Sequence, residues 1–194
     1  MPLMDHFHAP LHPRRHWESF HVTWAGAIAD ALNETLLPEG YFAEEHTHFP
    51  TQYAVRVCAV APQLVAAIEL VSPANKDGES HRRAFSTKCA GYLAQGVAVM
   101  VVDVVTSRSG NLHADVLRLL GRGSDTGLPD DAELYAVAYR PVVRAGAELI
   151  EVWPAALAVG HELPTLPLAL DAELCLPIDL EAAYTAACNR RRLG

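Results

Sequence analysis

Lysine is nearly missing from this chain: only Lys76 and Lys88 stand among 15 basic residues, and the rest are arginines. GC-rich codon usage accounts for the scarcity. It does not account for both lysines falling within one 13-residue stretch. Cysteine is sparse as well. Cys58, Cys89, Cys175 and Cys188 are scattered, and no CxxC pair occurs. That excludes a zinc site built on cysteine pairs and a disulfide-stapled mini-protein, and predicts buried, reduced thiols. No apolar run reaches the ~18 residues of a membrane span. The opening Met1-Pro2-Leu3-Met4-Asp5-His6 has no basic stretch followed by an apolar one, so a cytoplasmic protein with no membrane partner is expected. Phosphate loops, dinucleotide fingerprints and nucleophile elbows are missing: there is no GxxxxGK[ST], GxGxxG or GxSxG. The net charge of −8 opposes a broad nucleic-acid-binding surface, so nucleic acid is a partner only through a small local anion site.

What is present suffices for one domain over 1–194, with 51% hydrophobic and 20% charged residues. Residues 1–13, rich in His and Pro, read as an irregular N-terminal arm. Trp17, Phe20, Trp24, Ala27, Ile28, Ala31, Leu32 and Thr35 recur at helical spacing, predicting an amphipathic helix over 14–36 stopped by Pro38-Glu39-Gly40. Strands follow over 41–48, 52–60 and 63–72. Ser72 to Gly78 has turn chemistry, and 79–94 reads as a helix with Phe85, Cys89, Tyr92 and Leu93 on its apolar side. Val97–Val105 is the most apolar run, broken only by Asp103. Strand, helix and strand in this order make a βαβ unit with parallel strands, completing an α/β core over 14–105. Residues 106–131 look irregular, with a strand piece over 113–120. Tyr135–Arg144 and Glu148–Trp153 flank Ala145-Gly146 as a hairpin, 154–177 is extended, and Asp179 caps a last helix over 180–192. The hairpin and helix form an extension over 132–194. The exposed edge and aromatics of the hairpin point to a homodimer.

The strongest chemical signal is Glu69 with Asp103. Each is a lone carboxylate near the carboxyl end of an apolar strand. On neighbouring parallel strands they lie close together, where open α/β sheets bind ligands. Two carboxylates between apolar walls must share a proton, bind a metal or meet a cation. Lys76 and Lys88 are the cations at hand. One reading makes Glu69 and Asp103 ligands of Mg²⁺, with Lys76 or Lys88 stabilising developing charge, as metal-assisted phosphodiester hydrolysis requires. In that reading Ser72, Asn75 and Arg83 contact the substrate. The other reading is a buried structural network of the same residues. Seven of the ten histidines (His6, His8, His12, His16, His21, His46, His48) lie in the first 48 residues. Without HExxH they read as solvated or capping groups, and Glu44 or Glu45 is the better extra carboxylate.

The segment Ala67-Ile68-Glu69-Leu70-Val71-Ser72-Pro73-Ala74-Asn75-Lys76 resembles the strand and loop of the bacterial domain-of-unknown-function family numbered 4058. Lys88, Tyr92 and Val101-Val102-Asp103-Val104-Val105 match its following helix and strand. Trp17-Glu18-Ser19-Phe20-His21, Leu37-Pro38-Glu39-Gly40-Tyr41, Leu163-Pro164 and Ile178-Asp179-Leu180 extend the likeness over nearly the whole chain. The same strand and loop resembles Uma-type proteins, which are similar to restriction-endonuclease-like PD-(D/E)xK nucleases. The resemblance implies a mixed sheet with an αβββαβ core and Glu69 as the acidic residue of the (D/E)xK strand. Two departures accompany it. Val71 stands where the lysine belongs, so Lys76 or Lys88 would supply that charge. No acidic residue lies between Tyr53 and Ile68, and Gln63 follows Pro62 where "PD" belongs. An active nuclease or a degenerate, inactive member are both implied.

Overall fold

The computed structural model describes residues 1–48, 52–60, 63–122, 125–129 and 131–193. Pro62 and the side chain of His48 lie outside the described residues. The chain is α/β, with a six-stranded mixed sheet in the order β1-β2-β3-β4-β5-β6. The strands are β1 (Tyr41–His48), β2 (Gln52–Ala59), β3 (Gln63–Leu70), β4 (Ala98–Asp103), β5 (Leu134–Arg144) and β6 (Ala147–Leu157). Neighbours pair antiparallel except β3 and β4, which are parallel and joined by helix α2 (Glu79–Ala94). A separate two-stranded hairpin, β7 (Thr165–Ala169) with β8 (Cys175–Asp179), precedes the last helix, α4 (Leu180–Arg191). Asp179 caps α4 as expected, its Oδ1 accepting from the Ala182 N–H at 2.9 Å.

Two apolar layers sandwich the sheet. One face packs α1 (Trp17–Ala31), α4 and the β7–β8 hairpin over Ile68, Leu70, Met100 and Val102. The other packs α2 and α3 (Leu112–Leu119) over Val99, Val101, Tyr135, Val137 and Tyr139. β3 and β4 are covered on both sides, which is why they read as nearly continuous apolar runs. Among the described residues no helix is long and apolar enough to cross a membrane.

The structure departs from the sequence reading in three places. The first helix does not run evenly to residue 36. Leu32–Leu36 is a π-helical turn, closed by the Leu37 N–H on the Leu32 carbonyl at 2.9 Å. The turn aims the Asn33 amide at β1, where its Nδ2 donates to the Ala43 carbonyl at 2.9 Å and its Oδ1 accepts from the Ala43 N–H at 2.8 Å. Residues 113–120 are not a strand piece, because 112–119 form α3. Its apolar residues Leu112, Val116 and Leu117 sit at helical spacing, and the Asn111 side chain caps the Ala114 N–H at 2.9 Å. The N-terminal arm lacks regular structure but is not loose. Leu3 and His6 are buried, and the Leu3 N–H bonds the His161 carbonyl at 2.9 Å.

Two of the histidines expected to be solvated are therefore core residues. His6 stacks on Phe20 with centroids 4.1 Å apart and shares a 2.7 Å hydrogen bond with the Tyr184 hydroxyl. His21 Nε2 meets the Leu70 carbonyl at 3.1 Å. Burial lowers His6 to about 4 and His21 to about 3. In the unfolded chain both take up protons near the ordinary histidine value of about 6.5. The stabilisation from these neutral rings is therefore complete above pH 6.5 and is lost as pH falls toward 4. By pH 4.5 the loss is on the order of 2 kcal/mol for each ring. Urea midpoints measured from pH 7.5 to 4.5 should fall, and His6→Phe, which keeps the stack, should flatten that fall. A midpoint independent of pH would contradict the burial of these rings.

Candidate functional site

The parallel pairing places Glu69 opposite Val101, with Asp103 two residues further along β4. Side chains alternate along a strand, so Glu69, Val101 and Asp103 share the face that α2 and α3 cover. The expected neighbourhood of the two carboxylates is present. Each carboxylate, however, is held by a lysine of its own.

Asp103 belongs to Lys76. The Nζ–Oδ2 separation is 2.7 Å, and both side chains are 0% exposed. Lys76 also reaches the Arg108 carbonyl at 3.4 Å. Oδ1 of Asp103 accepts from the Val105 N–H at 3.1 Å, and the Tyr135 hydroxyl hydrogen-bonds the same carboxyl group. Tyr135 in turn accepts from the N–H groups of Leu112 and His113, at 2.9 and 3.3 Å, at the start of α3. One buried cluster thus ties the β3–α2 loop, the end of β4, β5 and α3 together. Burial pushes the Asp103 carboxyl up to about 6, and the Lys76 ammonium limits the rise. Its folded form gains a proton below about pH 6 that the unfolded chain takes up only near 4, so Asp103 partly offsets the acid loss from the histidines.

Glu69 belongs to Lys88. Nζ donates to Oε2 at 2.7 Å and stands 5.3 Å from the Phe85 ring centroid. Glu69 is buried and its Oε1 has no hydrogen-bond partner. Lys88, on the second half of α2, keeps 18% side-chain exposure.

Ser72 is bonded to the Asn75 carboxamide oxygen, whereas the buried Asn75 Nδ2 has no partner among the described residues. The Ser72 N–H and hydroxyl both donate to Asn75 Oδ1, at 2.8 and 2.9 Å, capping the single 3₁₀ turn Pro73–Lys76. Both residues are buried, and the turn swings Lys76 back over β4. Arg83 is not gathered with these residues. It is exposed and lines a separate groove of about 270 Å³ between α2 and α3, with Arg82, Arg118, Glu79 and Asp115. Glu45 packs on the α1 face against Gly26, whereas Glu44 sits opposite Arg56 on the Glu69 face.

Mg²⁺ prefers six oxygen ligands near 2.1 Å and holds its own waters tightly. Here Asp103 offers no solvent path and Glu69 offers one oxygen inside a formed ion pair. Among the described residues no group of three or more His, Cys, Asp or Glu gathers in a metal-binding arrangement. The residues as placed do not fit the ion.

The sequence reading missed two residues of this cluster. Tyr135 looked like a hairpin aromatic, and His113 lay in a stretch read as irregular. The His113 ring, fully buried, meets the Tyr139 hydroxyl at 2.5 Å and the Thr126 carbonyl at 2.9 Å. Neither residue carries a local signal, since their partners come from sheet pairing and helix packing rather than spacing. A cavity of about 660 Å³ was also unforeseen. It lies near Val65 and Ala98, at the amino ends of β3 and β4 and away from the carboxylates.

Removing one member of a buried ion pair strands the other. Asp103→Leu should destabilise the fold by about 3–5 kcal/mol. Adding Lys76→Met should recover most of that loss, which a double-mutant cycle by urea denaturation would measure. A double variant no more stable than Asp103→Leu alone would contradict the pairing. Comparison with family models, with curated proteins and with solved structures finds no match to this chain.

Proposed function

We propose that the chain is a non-catalytic member of the restriction-endonuclease-like class, a scaffold or binding protein whose Glu69–Lys88 and Asp103–Lys76 pairs serve structure. The order α1, β1, β2, β3, α2, β4 supports the αβββαβ frame that the strand-and-loop resemblance implies. One observation carries the loss of catalysis: the Asp103 carboxylate and the Lys76 ammonium are 0% exposed and 2.7 Å apart as an ion pair. A hydrolytic centre must let water, a phosphodiester and a metal ion reach its carboxylates. Here both lysines complete ion pairs and the β3–α2 loop closes on itself.

On the Glu69 face, Ala54 is the β2 residue opposite Glu69, and the next β2 residue on that face is Arg56. Neither supplies the second carboxylate that the nuclease pattern requires. The cluster holds two acids and two bases, so it is neutral overall and gives no field to attract a divalent cation.

Calorimetric titration of the full chain with MgCl₂ tests this reading, with Glu69→Gln as the reference. Equal, non-saturating heats are expected from both proteins. A saturable heat that disappears in Glu69→Gln would restore Mg²⁺-dependent phosphodiester hydrolysis as the function and overturn the scaffold reading.

A further inference from the structure

The sheet has a notch. β4 begins at Ala98, opposite Ala66 of β3, and its Val99 stands opposite Tyr139 of β5. β3 itself starts at Gln63, and β5 continues to Arg144. Among the described residues, Gln63 and Leu64 pair only with β2, Val65 sits at a register shift, and residues 140–144 pair only with β6. Between them the line of β4 is unfilled, because the chain turns away through Gly96 into α2. Two strand spacings separate β3 from β5, about 10 Å, which is the width of one inserted extended chain. The overhang 140–144 offers about 17 Å of unpaired strand edge, with Pro141 contributing a carbonyl only.

The cavity of about 660 Å³ occupies this notch. Val65 and Ala98 form its inner end, and Leu93, Leu120, Leu149 and Leu170 give apolar walls. Arg122, Arg140 and Arg144 line it together with Glu148 and Asp171. Asp171 is occupied by the Glu173 and Leu174 N–H groups at 2.8 and 2.7 Å, and Arg144 is paired with Glu151. Arg140 reaches Glu151 at 3.7 Å and the Ala172 carbonyl, yet its Nε is buried without a partner among the described residues. Arg122 is exposed and forms no ion pair within the described residues. The cation capacity left over in the notch belongs to Arg122 and Arg140.

We propose that this notch binds an extended peptide segment of a partner protein as an added strand on β5, with acidic side chains on the α2–α3 side, toward Arg122, and apolar side chains on the β7–β8 side, toward Leu149 and Leu170. The unpaired strand edge selects a peptide over a small acid, because only another main chain satisfies a row of N–H and C=O groups at strand spacing. The proposal gives the scaffold reading a partner, and its test is separate. Failure here leaves the Mg²⁺ titration unaffected, and Glu69-dependent Mg²⁺ binding would leave the notch standing.

A fluorescein-labelled, N-acetylated seven-residue peptide alternating valine and glutamate serves as the probe. With the full chain, fluorescence anisotropy should saturate, and hydrogen exchange should slow at those amides of residues 140–144 that point away from β6. Arg122→Glu, an exposed change that leaves the core alone, should weaken binding by at least about tenfold. The same peptide with proline at alternate positions should not bind. Absence of saturation to about 1 mM would overturn the proposal. So would binding indifferent to Arg122→Glu and to proline, or protection confined to the outer edge Ala147–Leu157. Protection of 140–144 that grows with protein concentration without peptide would assign the notch to a second copy of this chain instead.

Discussion

An ammonium and a carboxylate removed from water each lose several kilocalories of hydration, and only close, fixed opposition makes the loss tolerable. Lys76 and Asp103 are under this constraint, and much of the architecture follows from meeting it. The ammonium must arrive from a loop, so the chain turns sharply after β3, and the Ser72–Asn75 cap makes that turn. The carboxylate's other oxygen needs a donor, which the Val105 N–H supplies. The Tyr135 hydroxyl serves the same group and takes two N–H groups from the start of α3. A buried polar network of this kind is stabilising only when nearly complete, and its geometry fixes how β3, β4, β5 and the two covering helices are placed.

The same commitment decides the chemistry. Glu69 and Asp103 share a sheet face at the carboxyl ends of parallel strands, where ligand sites in open α/β sheets commonly form. Position alone does not make a site. A carboxylate matched to a buried cation and sealed from solvent has its charge already balanced and no open path to water. The amino ends of β3 and β4 are the reverse case. There the sheet is left incomplete and the main chain of β5 runs on without a neighbour on one side.

The frame was legible because it rests on periodicity. The alternation in β2, the continuous apolar runs of β3 and β4, and the turn residues between them are local signals, and the βαβ unit follows from their order. Glu69 and Asp103 were legible for a related reason, since an ionised group inside an apolar run is improbable without a partner. Which lysine serves which acid was not legible, because both lie between the two strands and the answer depends on the turn at Pro73–Lys76. Tyr135 and His113 escaped notice because pairing across the sheet brings Tyr135 to the cluster and the packing of α3 brings His113, neither by spacing along the chain. His6 was misplaced because a His–Pro-rich arm looks polar, and His21 because a polar side chain on a helix reads as its solvent side. It is the aromatic row of α1 that draws His6 inside.

The contact between α1 and α4 sets an order on synthesis. Trp17, Phe20 and Trp24 leave a ribosome well before Tyr184, which packs against Phe20 and Trp24. Because strand order follows chain order, the sheet can grow strand by strand as the chain lengthens. The aromatic side of α1 reaches its final cover only once residues 180–191 have emerged. A chain stalled before that point carries a formed sheet with an uncovered aromatic row, the kind of surface that chaperones bind.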